Sequence, residues 1–526
     1  MSEIMNASRM MQDDRISQLP QPILHCILDR LSPREAARTC TLSKSWRYIE
    51  STGPYFTMIE DNFKGSKQEF IDAKERHLQL YHHHKICPQI IFVDLSNPDA
   101  ESFLFLDKWI PVLVRDWGAQ DFSLYLFFDQ DEENARFDPP SIIFESKSLR
   151  RLTLHSCNLS RDDILHSDTS SLIHLKKLRL SNVCITDEIL EKIIFSCPLI
   201  KLELSGCVGL RAIRIDKRAR YLKRFEWSGS YNVNEPPSLE IDVPSLEKIN
   251  IHDCSKWYHD KMTYFPHLKS LSLSSVRLST ESVGYFSHNF PCLGSLSLKN
   301  CYGFEEFELS SRSIKKFELS SRYTNVPFNR VAIDVPSIVM FKFEGRVPES
   351  FSFTTTSEKW KSDITLRTGT LFEETSQGLD KLCQMLKAVS GSEMSLHIGG
   401  LNLSTHSVSS FMDNLFFICR PRIIQRSLVD VGPDFRFLFD QLCNQPTKVM
   451  CKILGMEKGG FESGRITRGR QWRQDLEKVT YETSDENEEE WHSVLERSWS
   501  KFWKALFPKD SKNVKHFMRF RLTWRE

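Results

Sequence analysis

The sequence has no excess of charge of either sign. Lys plus Arg number 70 and Asp plus Glu 69 over 526 residues. No global field exists to hold a phosphate backbone or anionic lipid by counter-ion release, which argues against nucleic acid and membrane as partners. An apolar run of about 18 residues, the least that crosses a bilayer as a helix, is also missing. The opening stretch MSEIMNASRMMQDDR contains no basic region followed by an apolar core. A soluble chain working in the nucleus, the cytoplasm or both is the expectation. The 14 cysteines show no Cys-x-x-Cys pairing, so reduced and mostly buried thiols are expected in place of a disulfide framework.

Catalytic signatures are scarce too. There is no Gly-x-Ser-x-Gly elbow, no His-Glu-x-x-His helix and no glycine-rich dinucleotide fingerprint. The segment Gly459 to Gly464 imitates a phosphate loop. Arg465 and Ile466, however, stand where that loop needs Lys and Ser or Thr to hold phosphate and magnesium. His82, His83 and His84 lack the cysteine pair or spaced acid that would complete a tetrahedral metal set. The reading is a non-catalytic protein with no cofactor and no metal.

What the sequence does have is a packed composition, 40% hydrophobic and 26% charged, and a repeat. The pattern Leu-x-x-Leu-x-Leu appears at Leu149, Leu152, Leu154 and again at Leu175, Leu178, Leu180. Further units start at Leu199, Leu222, Leu246, Leu268, Leu293, Ile314 and Ile338, with spacings of 21 to 26 residues. That is the period of a leucine-rich repeat. The third position is Leu154, Leu180, Leu204, Trp227, Ile251, Leu273, Leu298, Leu319 and Phe343, apolar in every copy. Eight residues after the start, where such repeats place Asn or Cys, stand Cys157, Cys207, Cys254 and Cys301. One such unit cannot bury its leucines alone, but stacked units share a core and pair their strands.

The fold class expected is therefore an α/β solenoid, a leucine-rich-repeat array with a curved parallel sheet. Its strands begin near residue 86 with the apolar runs at 88–95 and 122–128, read as buried strands flanking a helix around Trp109. A helix capped by Thr186 lies between strands. The units through Ile241-Asp-Val-Pro and Ile333-Asp-Val-Pro lack helical spacing and are expected to be extended on both sides.

Ahead of the array, residues 19–31 place Ile23, Leu24, Ile27, Leu28 and Leu31 on one helical face. Ser32-Pro33-Arg34-Glu35 restarts a helix with a capping box and proline at its first turn. A third helix begins near Ser43 and carries Trp46. Together they expose more apolar surface than so small a unit can enclose, which calls for a partner.

Leu19-Pro20, the Ile/Leu helix, the Ser-Pro restart and Leu42-Ser43-Lys44-x-Trp46-Arg47 together resemble the three-helix F-box of plant F-box/leucine-rich-repeat proteins. The resemblance covers residues 16–50. Gln21 stands where an acid is common in that family, and Ser45 and Glu50 replace its usual Arg and apolar residue.

The resemblance implies the substrate-recognition subunit of an SCF-type (Skp-cullin-F-box) ubiquitin ligase. Leu19, Pro20, Ile23, Leu24, Ile27, Leu28 and Trp46 would contact a Skp-type adaptor, and through it a cullin-RING scaffold. The repeats would hold a protein substrate. A scaffold or GTPase-regulating repeat protein would share the solenoid but has no use for the hook.

The expected divisions are a disordered tail over 1–15, the F-box over 16–55, a linker helix over 56–85 and the repeats over 86–410. A C-terminal region over 411–526, similar to the FBD region that follows such repeats, would cap the open end. Its acidic stretch at 485–490 is read as a solvated loop. On the sheet face, His155, His252 and Asp253 are candidates for touching a target.

Overall fold

Each apolar triplet alternates with polar residues at a period of two, so in a strand its leucines fall on one face and their neighbours on the other. The computed structural model realises that pattern. It describes residues 55–129, 136–229, 237–254, 264–279, 286–321, 328–367, 376–399, 419–427, 475–484, 492–493 and 517–525, apart from isolated positions. Leu19, Ile23, Leu24, Ile27 and a few other single residues are also described. The chain divides into two compact units, Met1–Leu246 and Glu247–Glu526.

In the first unit, β1 (Tyr55–Ile59), β2 (Ile90–Ser96), β3 (Asp121–Phe127), β4 (Arg151–His155), β5 (Lys177–Ser181), β6 (Lys201–Ser205) and β8 (Arg224–Ser228) pair in that order, all parallel. Helices α1 (Lys67–His83), α2 (Ala100–Pro111) and α3 (Asp187–Ser196) lie between strands. Thr186 caps α3 by accepting the Ile189 amide, and the acids of its first turn, Asp187 and Glu188, complement the helix dipole. Where helical spacing is missing, β7 (Ala212–Ile215) and β9 (Ser238–Ile241) form a second parallel pair.

The expected linker helix over 56–85 is corrected by this structure. Its first residues are strand β1, in register with β2 from Tyr55↔Ile90 to Ile59↔Asp94, and the helix occupies Lys67–His83. The parallel sheet therefore begins at Tyr55, ahead of residue 86. YFTMI holds no leucine triplet, but it alternates, and Phe56 and Met58 are buried.

In the second unit, β10 (Lys248–Cys254), β11 (Ser270–Val276), β12 (Ser295–Lys299), β14 (Lys316–Ser320), β16 (Met340–Gly345), β18 (Lys361–Arg367), β19 (Glu393–Gly399) and β20 (Ile423–Ser427) pair in parallel. A second sheet, β13 (Glu306–Ser310), β15 (Arg330–Asp334) and β17 (Ser350–Thr354), runs through Ile333-Asp-Val-Pro, extended as its sequence anticipates. Parallel pairing passes residue 410 and reaches β20. There β23 (Phe517–Trp524) lies antiparallel along β20 and pairs with β21 (Leu476–Ser484), which pairs with β22 (His492–Ser493). A reversed strand at the last parallel one gives that sheet edge a hydrogen-bonded neighbour. The tail over 1–15 and the acidic stretch 485–490 lie outside the described residues.

The nine third-position side chains, from Leu154 to Phe343, are all buried. The turns after the strands follow one geometry. Asn97, Ser156, Asn182, Asp253, Ser275 and Asn300 have φ between 47° and 55°, and Gly206 has 60°. These small residues tolerate the left-handed region, and those of the leucine units stand seven positions after the unit start. The next residue turns inward: Cys207 Sγ lies 3.6 Å from the Leu180 carbonyl and Cys301 Sγ 3.5 Å from that of Leu273. Each thiol thereby donates to the preceding coil. Burial pushes the Cys207 thiol up to about 12 and the Cys301 thiol to about 11.

Candidate protein-binding surfaces

Two surfaces are open to a partner. The first is the hook. Leu19 is 36% exposed and Ile23 49%, while Leu24 is 1% exposed and Ile27 half-buried. The hook thus divides its apolar residues. Leu19 and Ile23 offer area to a partner, whereas Leu24 is enclosed by the chain itself. Pro20, Leu28 and Trp46 lie outside the described residues.

The second is the polar face of the sheets. In the first unit, strand register aligns three rows. Arg151, Lys177, Lys201 and Arg224 form one; Thr153, Arg179, Glu203 and Glu226 the next; His155, Ser181, Ser205 and Ser228 the third. The basic row is absent from a reading confined to the positions between the leucines. Acids answer part of it: Arg151 pairs with Asp121 and Lys201 with Glu203 and Glu226, while in the next row Arg179 lies 3.4 Å from Glu203. In the second unit, Lys342 and His397 each lie 3.6 Å from the Asp363 carboxylate on neighbouring strands.

The candidate histidines have local partners. His155 holds its Nδ1 2.8 Å from the Leu126 carbonyl and is half-buried, which lowers its pKa, with Arg179 adding to the effect. His252 Nδ1 lies 2.8 Å from Asp253 Oδ2 without hydrogen-bond geometry, and Asp253, within β10, has a left-handed φ of 51°. His82 and His83 end α1, and among the described residues no group of three metal-ligating side chains occurs.

Sequence reasoning missed an aromatic surface on β2 and β3. Both strands were expected to be buried, because PQIIFVDL and FSLYLFF are nearly continuous apolar runs. Instead Ile90 is 42% exposed and Phe127 45%, with Phe92 and Tyr125 half-buried between them. The Phe92 and Tyr125 rings lie 5.4 Å apart, Tyr125 and Phe127 stack at 6.5 Å, and His155 joins Phe127 at 4.8 Å. Asp94 stands on the same face, in register with Tyr125. Its pKa is raised by partial burial first, then by Asp61 and Glu60. Aromatic alternation at positions 92, 125 and 127 was the available signal.

Leucine-rich units that pair into parallel sheets behind an apolar hook define a class of repeat protein. Comparison with known proteins gives this class a family. The F-box domain family matches residues 16–55, and the family described as FBD-associated F-box protein At5g56370, LRR repeats, matches residues 106–240. F-box/LRR-repeat protein At4g14096 of Arabidopsis thaliana is 29% identical over 48% of this chain and 52% of its own length. F-box/FBD/LRR-repeat protein At1g13570 of the same plant is 29% identical over 52% of this chain and 62% of its own. F-box/LRR-repeat protein At3g03360 is 27% identical over 40% and 42%. The chain spans about half the length of the curated relatives it matches. Over these segments it is similar to the plant F-box/leucine-rich-repeat proteins.

Proposed function

We propose that this chain is the substrate-recognition subunit of an SCF-type ubiquitin ligase. The F-box over 16–55 docks a Skp-type adaptor, and through it a cullin-RING scaffold. The repeats hold a protein target for ubiquitination. The region after about 411 closes the solenoid's end, and the chain itself performs no chemistry. A place in the nucleus, the cytoplasm or both follows from that role. Among the described residues no helix is long and apolar enough to cross a membrane.

The observation that carries this reading is the F-box match at 16–55 on a chain whose hook presents Leu19 and Ile23 outward. Covering an aliphatic side chain of this size is worth roughly 1.5 to 3 kcal/mol before the costs of association. Several such residues, with Pro20, Ile27, Leu28 and Trp46 among the contacts, sustain a stable complex. Leu24 serves from within, holding the helix that carries Ile23.

The test is co-purification of the full chain with a Skp-type adaptor. Ile23→Asp places a charge in the proposed interface and is expected to lose the adaptor while the thermal melt is unchanged. Leu24→Asp buries that charge inside the chain and is expected to lower the melt as well. Wild type that leaves the adaptor behind would sink the ligase reading in favour of a repeat scaffold.

A further inference from the structure

We propose that the sheet face of the first unit captures a cationic segment of its target. An Arg or Lys side chain seats on the Phe92, Tyr125 and Phe127 rings and pairs with Asp94. This rests on reading the sheet face as the target-holding surface.

On β4, β5, β6 and β8 the outward rows are polar or charged, but here the outward side chains include Ile90, Phe92, Tyr125 and Phe127. Exposed aromatic area of this kind marks a contact surface. The ring faces are negative, and ring spacings of 5.4 and 6.5 Å make a platform wide enough for a guanidinium or an ammonium with its stem.

Charge selects the occupant. Among the described residues the Asp94 carboxylate takes no hydrogen bond and no ion pair, although it is half-buried beside two rings. Its acidic neighbours are engaged. Glu60 accepts from the Ser96 amide and pairs with Lys67 at 3.4 Å, Asp61 accepts from the Ser96 hydroxyl, and Asp129 from the Asn97 side chain. Two positive groups face these four carboxylates: Lys67 is turned to Glu60, and His155 acts on Asp94 only when protonated, which its burial disfavours, so the local field favours a cation. Arg179, two strands away, is turned to Glu203. Partial burial strengthens a charge pair formed at Asp94 and shields it from salt.

The experiment measures fluorescence anisotropy of labelled peptides on the full chain. One peptide has a Leu-Arg-Leu core; its companions carry Leu-Glu-Leu and Leu-norleucine-Leu. The Arg peptide is expected to bind about tenfold tighter than either, a factor matching one good charge contact. Asp94→Asn, isosteric and neutral, removes that preference, and Phe127→Ser, at an exposed position, weakens the Arg peptide; both keep the wild-type melt.

Equal binding of Arg and Glu peptides overturns the proposal, as does norleucine matching Arg, an unchanged Asp94→Asn variant or no binding at all. Adaptor co-purification separates the two readings. A chain that binds the adaptor but shows no Arg preference loses this inference alone, and one with the preference but no adaptor loses the ligase role alone.

Discussion

The left-handed residues behind the strands carry the tightest local constraint. At Asn300, with φ of 52°, an amide side chain tolerates a backbone that a β-branched residue resists. Gly303 is held harder still. Its φ is 95°, and a Cβ there would stand 2.6 Å from the Leu278 carbonyl of the preceding coil. Asn300→Val is expected to cost about 1–2 kcal/mol and Gly303→Ala more, because it adds a clash to the strain. Chemical denaturation of both variants checks the order. Equal stability would mean that the coil shifts to admit the methyl group. Neither residue stands out in the sequence, since Asn and Gly are ordinary loop residues until the register is known.

At the scale of elements, legibility followed the leucines. Strands β4 to β6, β8, β10 to β12, β14 and β16 all lie on the triplets starting between Leu149 and Ile338, because burial on one face forces that period. β1 was hidden, since Tyr55 to Ile59 has alternation without leucine. The aromatic face of β2 and β3 was hidden for the opposite reason: too many apolar residues leave the exposed side unmarked. The hook was legible as a motif, yet only the structure separates the buried Leu24 from the exposed Ile23.

His155 ties two of these elements, joining β4 to the Leu126 carbonyl at the end of β3. Its pKa is lowered from the ordinary 6.5, first by burial. The folded chain therefore binds this proton less readily than the unfolded chain. The stability it contributes is present above 6.5 and is lost as pH falls through the lower folded value. Melting temperature is expected to drop between neutral pH and the region below 6.5 more steeply in wild type than in His155→Gln. Parallel slopes in the two would mean that His155 titrates normally.

At the scale of the whole molecule, the thiols report how the folded body opens. Cys87 and Cys292 are exposed, whereas Cys157, Cys197, Cys207, Cys301 and Cys419 are buried. Burial keeps the buried thiols protonated, with Cys197 and Cys207 both pushed up to about 12. The thiolate is the reactive form, so each buried site is protected twice, by access and by protonation. Among these seven, Cys87 and Cys292 are expected to take an alkylating reagent first. Within the first unit, Cys157, Cys197 and Cys207 sit in stacked coils that share one core, so they should become reactive over a single denaturant transition. Mass spectrometry of pulse-labelled protein resolves each site. If Cys157 labels at a denaturant concentration where Cys207 is still protected, the coils open one by one, and the first unit is a stack of separable repeats.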